Sequence, residues 1–530
     1  METRVGDRAV SVAPASLLNG LTLGLVLLGV GVRVAFASSA LWDVDADEAV
    51  VGLMARHLLD GDASLFFWGQ QYGGAHESWL VAALLWMRVP AVLAMRLAPL
   101  SLFVVSAVLV WRIARRVVSD ATARLAGAAF WAYPIGIVWM SMKERGFYGA
   151  TLALSLTCLL FALRTAESWE RRDALIVGLA AGAAWYASPQ SLYLLAPTAA
   201  WLVGVAVREK SAEGRRGIRR AAPAMLAGLV VGAAPWLIAN IASGWESLHV
   251  LPQPPTTFGH RLKLFATDGL PVLSGLAQPF NRIWFGGTAG QVLWVVAVAA
   301  GVVVFARLWW SRRPRMLAPM LLATLGYGLL FAAFPTSWFV NDPRYFTMFP
   351  AGAVIVVAWM SEFARPAVVV AGVVSLAAIA VVGTVDVLDF AVTAGRAEAR
   401  WDVTAGDLDP LVDLLDEEGV ERVFADYWIA HRLDFETDER IIAAPLQDIR
   451  HVPYEAAVRD DPTPAYVTFA RSGALSAVEA HLRDRQIAYR VRVIGEYAVY
   501  FPAARVLPED VSHDWYTIRL SKAPGLLESG

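Results

Sequence analysis

Eleven apolar segments fill most of the first 390 residues and constrain the fold of this chain more than any other feature. A helix needs about 20 mostly apolar residues to cross the hydrocarbon core of a bilayer. The segments therefore predict membrane-spanning helices, with boundaries good to a few residues. They are 17–37, 97–114, 124–141, 147–164, 173–188, 190–207, 221–241, 291–309, 316–334, 347–363 and 367–389.

The basic residues of the connecting loops alternate along the chain. Arginine-rich loops follow the second, fourth, sixth and eighth segments, whereas the longer loops between them carry few Arg or Lys residues. Because Arg and Lys accumulate in cytoplasmic loops, this pattern predicts a multi-pass protein of the plasma membrane. Its N-terminus is expected on the cytoplasmic side and its C-terminus outside.

Composition divides the 530 residues into two predicted domains. The chain is 57% hydrophobic, above the 45–50% typical of soluble domains, but the stretch after about residue 390 is rich in Asp, Glu and Arg. We expect a transmembrane domain over 1–395 and an extracytoplasmic domain over 396–530. The net charge of −2 excludes nucleic acid as a partner, and the single Cys158 excludes an intrachain disulfide.

The predicted C-terminal domain alternates between strand and helix patterns, which is typical of a small α/β domain. Helices are expected over 408–418 and 475–486, the first ending at Gly419. Strands are expected over 420–427, 440–445 and 465–470, and a hairpin over 489–501 with its turn at Gly495-Glu496.

Acidic residues cluster directly after the first predicted span, in Asp43-Val44-Asp45-Ala46-Asp47-Glu48. Asp45 and Glu48 fit a capping box, and 46–59 reads as an amphipathic helix lying on the membrane surface. Capping explains Asp45 and Glu48 structurally, but it does not explain Asp47. Asp47 is therefore the stronger functional candidate.

A second group follows in the same outside loop, which runs over 39–96. Gly73 and Gly74 permit close approach of backbone to a ligand, and Tyr72, His76 and Glu77 can bind sugar hydroxyls or a cation. A turn without any function would explain the two glycines, but it would not explain His76 and Glu77. The apolar run after Glu77 is too short to span and predicts a second interfacial helix.

Charged residues also stand in two short loops beside span ends, where unpaired charges are costly. One is Lys143-Glu144-Arg145, and the other is Asn341-Asp342-Pro343-Arg344-Tyr345. The forked guanidinium of Arg344 suits a phosphate or carboxylate, whereas snorkelling to the interface is the structural alternative. The 242–290 loop contains two histidines, which are interpreted as having no functional role.

Taken together, these residues resemble the GT-C glycosyltransferases, and in particular the family 39 branch with the protein O-mannosyltransferases and lipid A aminoarabinose transferases. Asp47-Glu48 after the first span, Glu144-Arg145-Gly146-Phe147 and Asp342-Pro343-Arg344-Tyr345 carry the resemblance, which extends in layout over about 40–390. The proline-rich segment usual before the interfacial helix is replaced here by Gly73-Gly74-Ala75-His76-Glu77, and the second loop has Glu144 where an aspartate is often found.

The resemblance implies an inverting transfer of a hexosyl or pentosyl group from a polyprenyl-phosphate donor. The acceptor would be an envelope glycan, lipid or protein on the outer side of the bilayer. The chemistry needs a carboxylate base and cations for the leaving phosphate. Asp47 is the expected base, with Glu48 or Asp45 orienting it or the acceptor, and Arg344, Lys143 and Arg145 on the phosphate. The remaining expected substrate contacts are Tyr72, His76, Glu77, Glu144, Asp342 and Tyr345.

Two other classes of function stay open at this point. A transporter or flippase of lipid-linked sugars would place ionisable residues near the membrane midplane, where the predicted spans here are nearly free of charge. A non-catalytic envelope assembly protein could use the same scaffold. No metal ligand set is predicted, and the need for a divalent cation is left open.

Overall fold

Helices dominate the computed structural model of the chain, which describes residues 13–249, 256–279, 283–312, 314–334, 340, 343–397 and 406–522. Packing divides the chain into two units. The first comprises Met1–Ala37, Arg96–Lys143 and Phe147–Asp389, and the second comprises Ser38–Met95, Glu144–Gly146 and Phe390–Gly530. The outside loop predicted within the transmembrane domain thus packs with the C-terminal residues.

The helices up to residue 397 are α1 (Ala15–Ala37), α2 (Ala46–Leu59), α3 (His76–Trp86), α4 (Ala91–Ala114), α5 (Asp120–Trp131), α6 (Ile135–Met142), α7 (Tyr148–Ser168), α8 (Arg171–Ala187), α9 (Leu192–Arg208), α10 (Ala212–Gly232), α11 (Ala234–Ser243), α12 (Phe258–Leu264), α13 (Leu270–Leu273), α14 (Gly287–Arg312), α15 (Ala318–Ala333), α16 (Phe349–Ser361) and α17 (Pro366–Ala397). Each predicted span coincides with a helix or with a pair of helices.

In the described part of the chain, seven helices are long and apolar enough to cross a membrane: α1, α4, α7, α9 with its preceding turn (Pro189–Arg208), α14, α15 with its preceding turn (Arg315–Ala333), and α17. The pairs α5–α6 and α10–α11 are bent by 71° and 54° and raise the number to nine. The prediction of eleven spans exceeds this range. The difference is α8, whose 17 residues extend about 25 Å, and α16 with 13 residues. Both are shorter than the core that an upright helix must cross.

A break at Pro134 explains why the third predicted span is bent. Proline lacks an N–H and ends the helical hydrogen-bond ladder, which leaves carbonyl groups near the end of α5 without helical donors. Arg33 of α1 supplies a donor for one of these carbonyls, because its Nη1 donates to the carbonyl of Trp131 at 3.0 Å. Its Nε donates to Ser141 Oγ at 2.9 Å. The guanidinium also lies over the Trp131 ring, 3.4 Å from the centroid.

Glycines set the close approach of α8 and α10. An added Cβ at Gly178 would lie 1.9 Å from the Met225 carbonyl oxygen, and one at Gly228 would lie 2.3 Å from that of Leu175. Small residues four apart let helix backbones pack closely in a membrane, where association relies on contact rather than on the hydrophobic effect. The sequence carries this signal as paired glycines, Gly178 with Gly182 and Gly228 with Gly232.

In the second unit, α2 is buried along most of its length. Every residue from Ala46 to Ala55 is buried, and the helix packs against α3 and against a later helix that starts at Tyr427. Gly52 permits the latter contact, because a Cβ there would lie 2.4 Å from the Phe435 ring. The predicted apolar stripe therefore contacts protein, and the expectation of a helix lying on the membrane surface does not hold for α2.

The C-terminal residues form the predicted α/β domain. Its elements are α18 (Asp409–Glu417), β1 (Arg422–Ala425), α19 (Tyr427–Glu436), β2 (Ile442–Pro445), α20 (Val452–Arg459), β3 (Ala465–Phe469), α21 (Gly473–Asp484), β4 (Tyr489–Ile494), β5 (Tyr497–Pro502), α22 (Pro508–Val511) and α23 (His513–Lys522). The sheet order is β2-β1-β3-β5-β4, with β1 parallel to β2 and β3, and β5 antiparallel to β3 and β4.

The predicted helices, strands and hairpin of this domain are confirmed to within a few residues, including the end of α18 at Gly419, which has a φ of 66°. The apolar faces of α18 and α19 pack on β1, β3 and β5, around residues such as Leu411, Leu433, Val467 and Val499. The sequence did not predict α19, α20 or the two short C-terminal helices.

Candidate active site

The start of α2 forms the predicted capping box. Asp45 Oδ1 accepts from the backbone N–H of Glu48, and Glu48 Oε2 accepts from that of Asp45, both at 3.2 Å. The other oxygen of Glu48 accepts from the backbone N–H of Glu144 at 2.9 Å. Both oxygens of Glu48 therefore hold backbone in place, and this fastens the 144–146 turn to the start of α2.

Asp47, one residue further on, is held from two sides. Its Oδ1 accepts a hydrogen bond from the Tyr427 hydroxyl at 2.6 Å. Nη1 of Arg145 forms a buried ion pair with Asp45 Oδ1 at 2.6 Å and lies 3.9 Å from Asp47 Oδ2. Arg145 thus fixes two neighbouring carboxylates, whereas the sequence suggested that it binds the donor phosphate.

Glu77 and Glu144 form a buried acidic pair behind the capping box. Both side chains are at most 1% exposed. Glu144 Oε1 accepts from the N–H of Gly146 at 2.8 Å. Burial, together with the neighbouring Glu77, raises the pKa of Glu144 well above its ordinary value. The pair therefore holds a proton over a pH range in which exposed carboxyls are ionised.

The loop between α2 and α3 contains the remaining predicted residues of the second unit. His76 begins α3, and burial lowers the pKa of its imidazole to about 4, so the ring is neutral at pH 7. Tyr72 is 40% exposed. Gly69, with a φ of 70°, lets the loop reach the 449–450 backbone, because an added Cβ would lie 2.7 Å from the Ile449 carbonyl oxygen.

Three predicted site residues belong to the first unit. Lys143 is buried at the end of α6. Arg344 and Tyr345 lie in a 3-10 turn, Pro343–Phe346, which is fixed by the Tyr327 hydroxyl donating to the Tyr345 carbonyl at 2.9 Å. A small apolar cavity of about 20 Å³ lies beside this turn and includes Pro343, Phe346 and Thr347 in its wall. The predicted Asp342 lies outside the described residues.

Within the described residues, no group of three or more His, Cys, Asp or Glu side chains is arranged to hold a metal ion. Asp45, Asp47, Glu48 and Glu144 instead contact backbone N–H groups, Arg145 and Tyr427.

Sequence reasoning missed Tyr427 and, beside it, Arg450. The guanidinium of Arg450 lies 5.4 Å from the centre of the Tyr427 ring and forms an ion pair with Asp448 at 2.9 Å. A signal was present, since Tyr427 ends the predicted strand 420–427. In open α/β sheets, ligand-contacting residues concentrate at the carboxyl ends of parallel strands.

The apolar helices and the C-terminal α/β domain define the class: the chain is a polytopic helical membrane protein with an α/β domain at its C-terminal end, and its fold is seen in solved structures. It is similar to the crystal structure of ArnT from Cupriavidus metallidurans bound to undecaprenyl phosphate. The TM-score is 0.59 at 13% identity, covering 91% of this chain and 98% of that one.

The apo state of ArnT gives a TM-score of 0.57, with the same identity and coverage. The apo oligosaccharyltransferase of Archaeoglobus fulgidus gives 0.49 at 12% identity, covering 85% of this chain and 69% of that one. No protein-family model and no curated protein sequence matches the chain.

Proposed function

We propose that this protein is a membrane glycosyltransferase that moves a sugar from a polyprenyl-phosphate carrier to an acceptor hydroxyl on the outer side of the plasma membrane. The observation that carries the proposal is Asp47, a carboxylate fixed by Tyr427 and flanked by Arg145 at the start of α2. The GT-C fold shared with ArnT, solved with undecaprenyl phosphate bound, supports the class of donor.

In the proposed reaction, Asp47 is the general base. It takes the proton of the acceptor hydroxyl while that oxygen forms a bond to the anomeric carbon, and the bond from this carbon to the phosphate oxygen breaks with inversion. The electron pair of the broken bond leaves with the lipid phosphate. Phosphate is a good leaving group, so cations that stabilise its charge replace a general acid.

We assign the other residues by their contacts. Arg344 and Lys143 are the proposed phosphate ligands. Arg145 and Asp45 form an ion pair with each other and position Asp47, and Glu48 holds the backbone around it. Tyr72, His76 and Glu77 remain candidates for contacts with the sugar or the acceptor, and Tyr345 and Asp342 for the donor side.

The test is sugar transfer in proteoliposomes. Purified protein is supplied with a panel of radiolabelled hexoses and pentoses on undecaprenyl phosphate and with an envelope extract as acceptor. Asp47→Asn should lower transfer about 10²–10⁴-fold, the usual contribution of a general base. Asp62→Asn, in the same loop with a side chain 73% exposed, should leave transfer unchanged.

Full transfer by Asp47→Asn would refute the assignment of the base. Transfer by neither variant nor wild type from any donor of the panel would count against the proposed class of enzyme. Movement of the intact lipid-linked sugar across the bilayer, without its transfer, would indicate a flippase.

A further inference from the structure

The hydrogen bond to Asp47 comes from the α/β domain, and its place in the sheet is informative. The chain runs from β1 through α19 to β2 on one side of β1, and then through α20 to β3 on the other. The connections thus change direction beside β1, and open α/β sheets bind ligands at such a switch point, at the carboxyl ends of the strands. Tyr427 lies two residues after the end of β1, and Arg450 lies five residues after the end of β2.

Local structure fixes where the Tyr427 side chain points. Asp426 caps α19, since its carboxylate accepts from the N–H of Trp428 at 3.0 Å, while its own N–H donates to the Val467 carbonyl of β3 at 3.1 Å. Tyr427 is therefore the first residue of a capped helix that is tied to the sheet. Its ring stands edge-on to His431, with centroids 5.4 Å apart.

The direction of the hydrogen bond is also fixed. Burial, with the negative charge of Asp47 nearby, raises the pKa of Tyr427 well above its ordinary value, so the phenol keeps its proton. His431 behind the ring is buried, and its pKa is lowered to about 3, so it is neutral. Tyr427 is consequently a permanent donor, and the acceptor is the carboxylate of Asp47.

We propose that Tyr427 is a positioning residue for the base, so that the switch-point edge of the α/β domain completes the active site. The inference rests on the proposed function of Asp47. Tyr427 holds one oxygen of the carboxylate and keeps the carboxylate ionised, while Arg145 restrains the other side of the group. The α/β domain is thus required for turnover itself, beyond any role in acceptor recognition.

The first variant is Tyr427→Phe, which removes one hydroxyl and keeps the ring. A hydrogen bond to a charged group stabilises the ionised form, so its loss should move the acidic limb of the pH–rate profile to higher pH by roughly one unit. The titratable and charged groups around Asp47 and Tyr427 are Asp45, Glu48, Arg145, Arg450, Asp448 and His431, and all are unchanged in the variant. The kcat should fall roughly ten- to a hundredfold through misplacement of the base, with KM for the undecaprenyl-phosphate sugar unchanged.

Tyr466→Phe is the matched control. Tyr466 lies in the core of the same domain, and its hydroxyl donates to the Val506 carbonyl at 3.1 Å. This substitution also removes one buried tyrosine hydroxyl, but it leaves Asp47 untouched. We expect a similar or larger change in melting temperature than for Tyr427→Phe, with the wild-type pH–rate profile.

A second replacement preserves the fold and predicts the opposite sign. 3,5-Difluorotyrosine at 427 is a more acidic phenol and therefore a stronger donor, and it should move the acidic limb to lower pH. Opposite shifts for Phe and difluorotyrosine are the expected result. They would not arise from a merely structural role, in which both substitutions impair turnover without a directed shift.

The outcomes separate the two proposals. If Asp47→Asn is inactive while both changes at Tyr427 keep the wild-type profile and kcat, the positioning role is wrong and the proposed function stands. If Asp47→Asn keeps full transfer, the base assignment itself fails, and the role of Tyr427 fails with it.

Discussion

Two buried clusters of charged residues in the second unit differ in their balance of charge. We call the first the acid cluster: Asp45, Asp47, Glu48, Glu77, Glu144 and Arg145. We call the second the tail cluster: Glu455, Arg459, Glu509 and Arg519. The tail cluster pairs two acids with two arginines, whereas the acid cluster has five carboxyls and one arginine of its own.

The contacts within the two clusters differ in the same way as their charge balance. In the tail cluster Arg519 pairs with Glu455 and also donates to the Pro445 carbonyl at 2.7 Å, and Arg459 contacts Glu509 at 2.6 Å. These contacts join α20, β2, α22 and α23. In the acid cluster burial, together with the neighbouring carboxyls of Glu77 and Glu48, raises the pKa of Glu144. In the tail cluster burial raises the pKa of Glu455, but the opposite charges of Arg519 and Arg459 act against that shift. Opposite charges that balance one another are typical of a structural ion-pair network, whereas carboxyls perturbed by both burial and like charges are typical of functional sites.

The largest effect on stability is expected in the tail cluster. Arg519→Met leaves Glu455 buried without its main partner, and breaking a buried ion pair from one side costs about 3–5 kcal/mol. Thermal or denaturant unfolding in detergent measures this loss. Arg490→Met is the control, because its ion pair with Glu418 is exposed and worth about 0–1 kcal/mol. Equal losses in the two variants would show that the tail cluster does not stabilise the domain.

In the acid cluster, the corresponding change should reduce activity as well as stability, because Arg145 forms a buried ion pair with Asp45 beside the proposed base. Arg145→Met removes the cation between Asp45 and Asp47, and misplacement of the base lowers transfer roughly 10²-fold, equal to about 2.7 kcal/mol. Arg145→Lys keeps the positive charge but lacks the planar guanidinium that contacts both carboxylates. Its transfer rate should lie between those of the wild type and Arg145→Met. Transfer and melting temperature are measured on the same preparations. A variant Arg145→Met that unfolds like Arg519→Met but turns over normally would remove the distinction between the clusters.

The sequence predicted the parts of this site that depend on local pattern. The capping box follows from Asp45 and Glu48 three residues apart, and the end of α18 follows from Gly419. In the C-terminal domain, α18, α21 and the five strands followed from strand and helix periodicity. Asp47 was singled out because capping did not explain it.

Contacts between distant residues were not predictable in this way. Tyr427 and Asp47 are 380 residues apart, and no local pattern relates them. For the same reason, the sequence wrongly predicted that α2 lies on the membrane surface. An apolar stripe has the same pattern whether it faces lipid or α19. The span count differs for another reason, because apolar composition does not reveal that the segments 173–188 and 347–363 form helices of only 17 and 13 residues.

The smallest predicted effect tests the proton held in the acid cluster. The pKa of Glu144 is raised in the folded state above its ordinary value of about 4.5, so the folded protein binds more protons than the unfolded chain above that pH. The stability that Glu144 contributes is complete below about pH 4.5 and declines as the pH rises toward its raised pKa. The slope is at most about 1.4 kcal/mol per pH unit for one proton.

Glu144→Gln replaces the protonated carboxyl by a neutral group of similar shape. The variant should therefore unfold with a weaker pH dependence than wild type and gain relative stability as the pH rises above about 4.5. Glu417→Gln, an exposed carboxyl on α18, is the control and should keep the wild-type slope. If Glu144→Gln loses stability relative to wild type as the pH rises, Glu144 is needed as an anion. The acid cluster would then be a charge-paired structural network like the tail cluster.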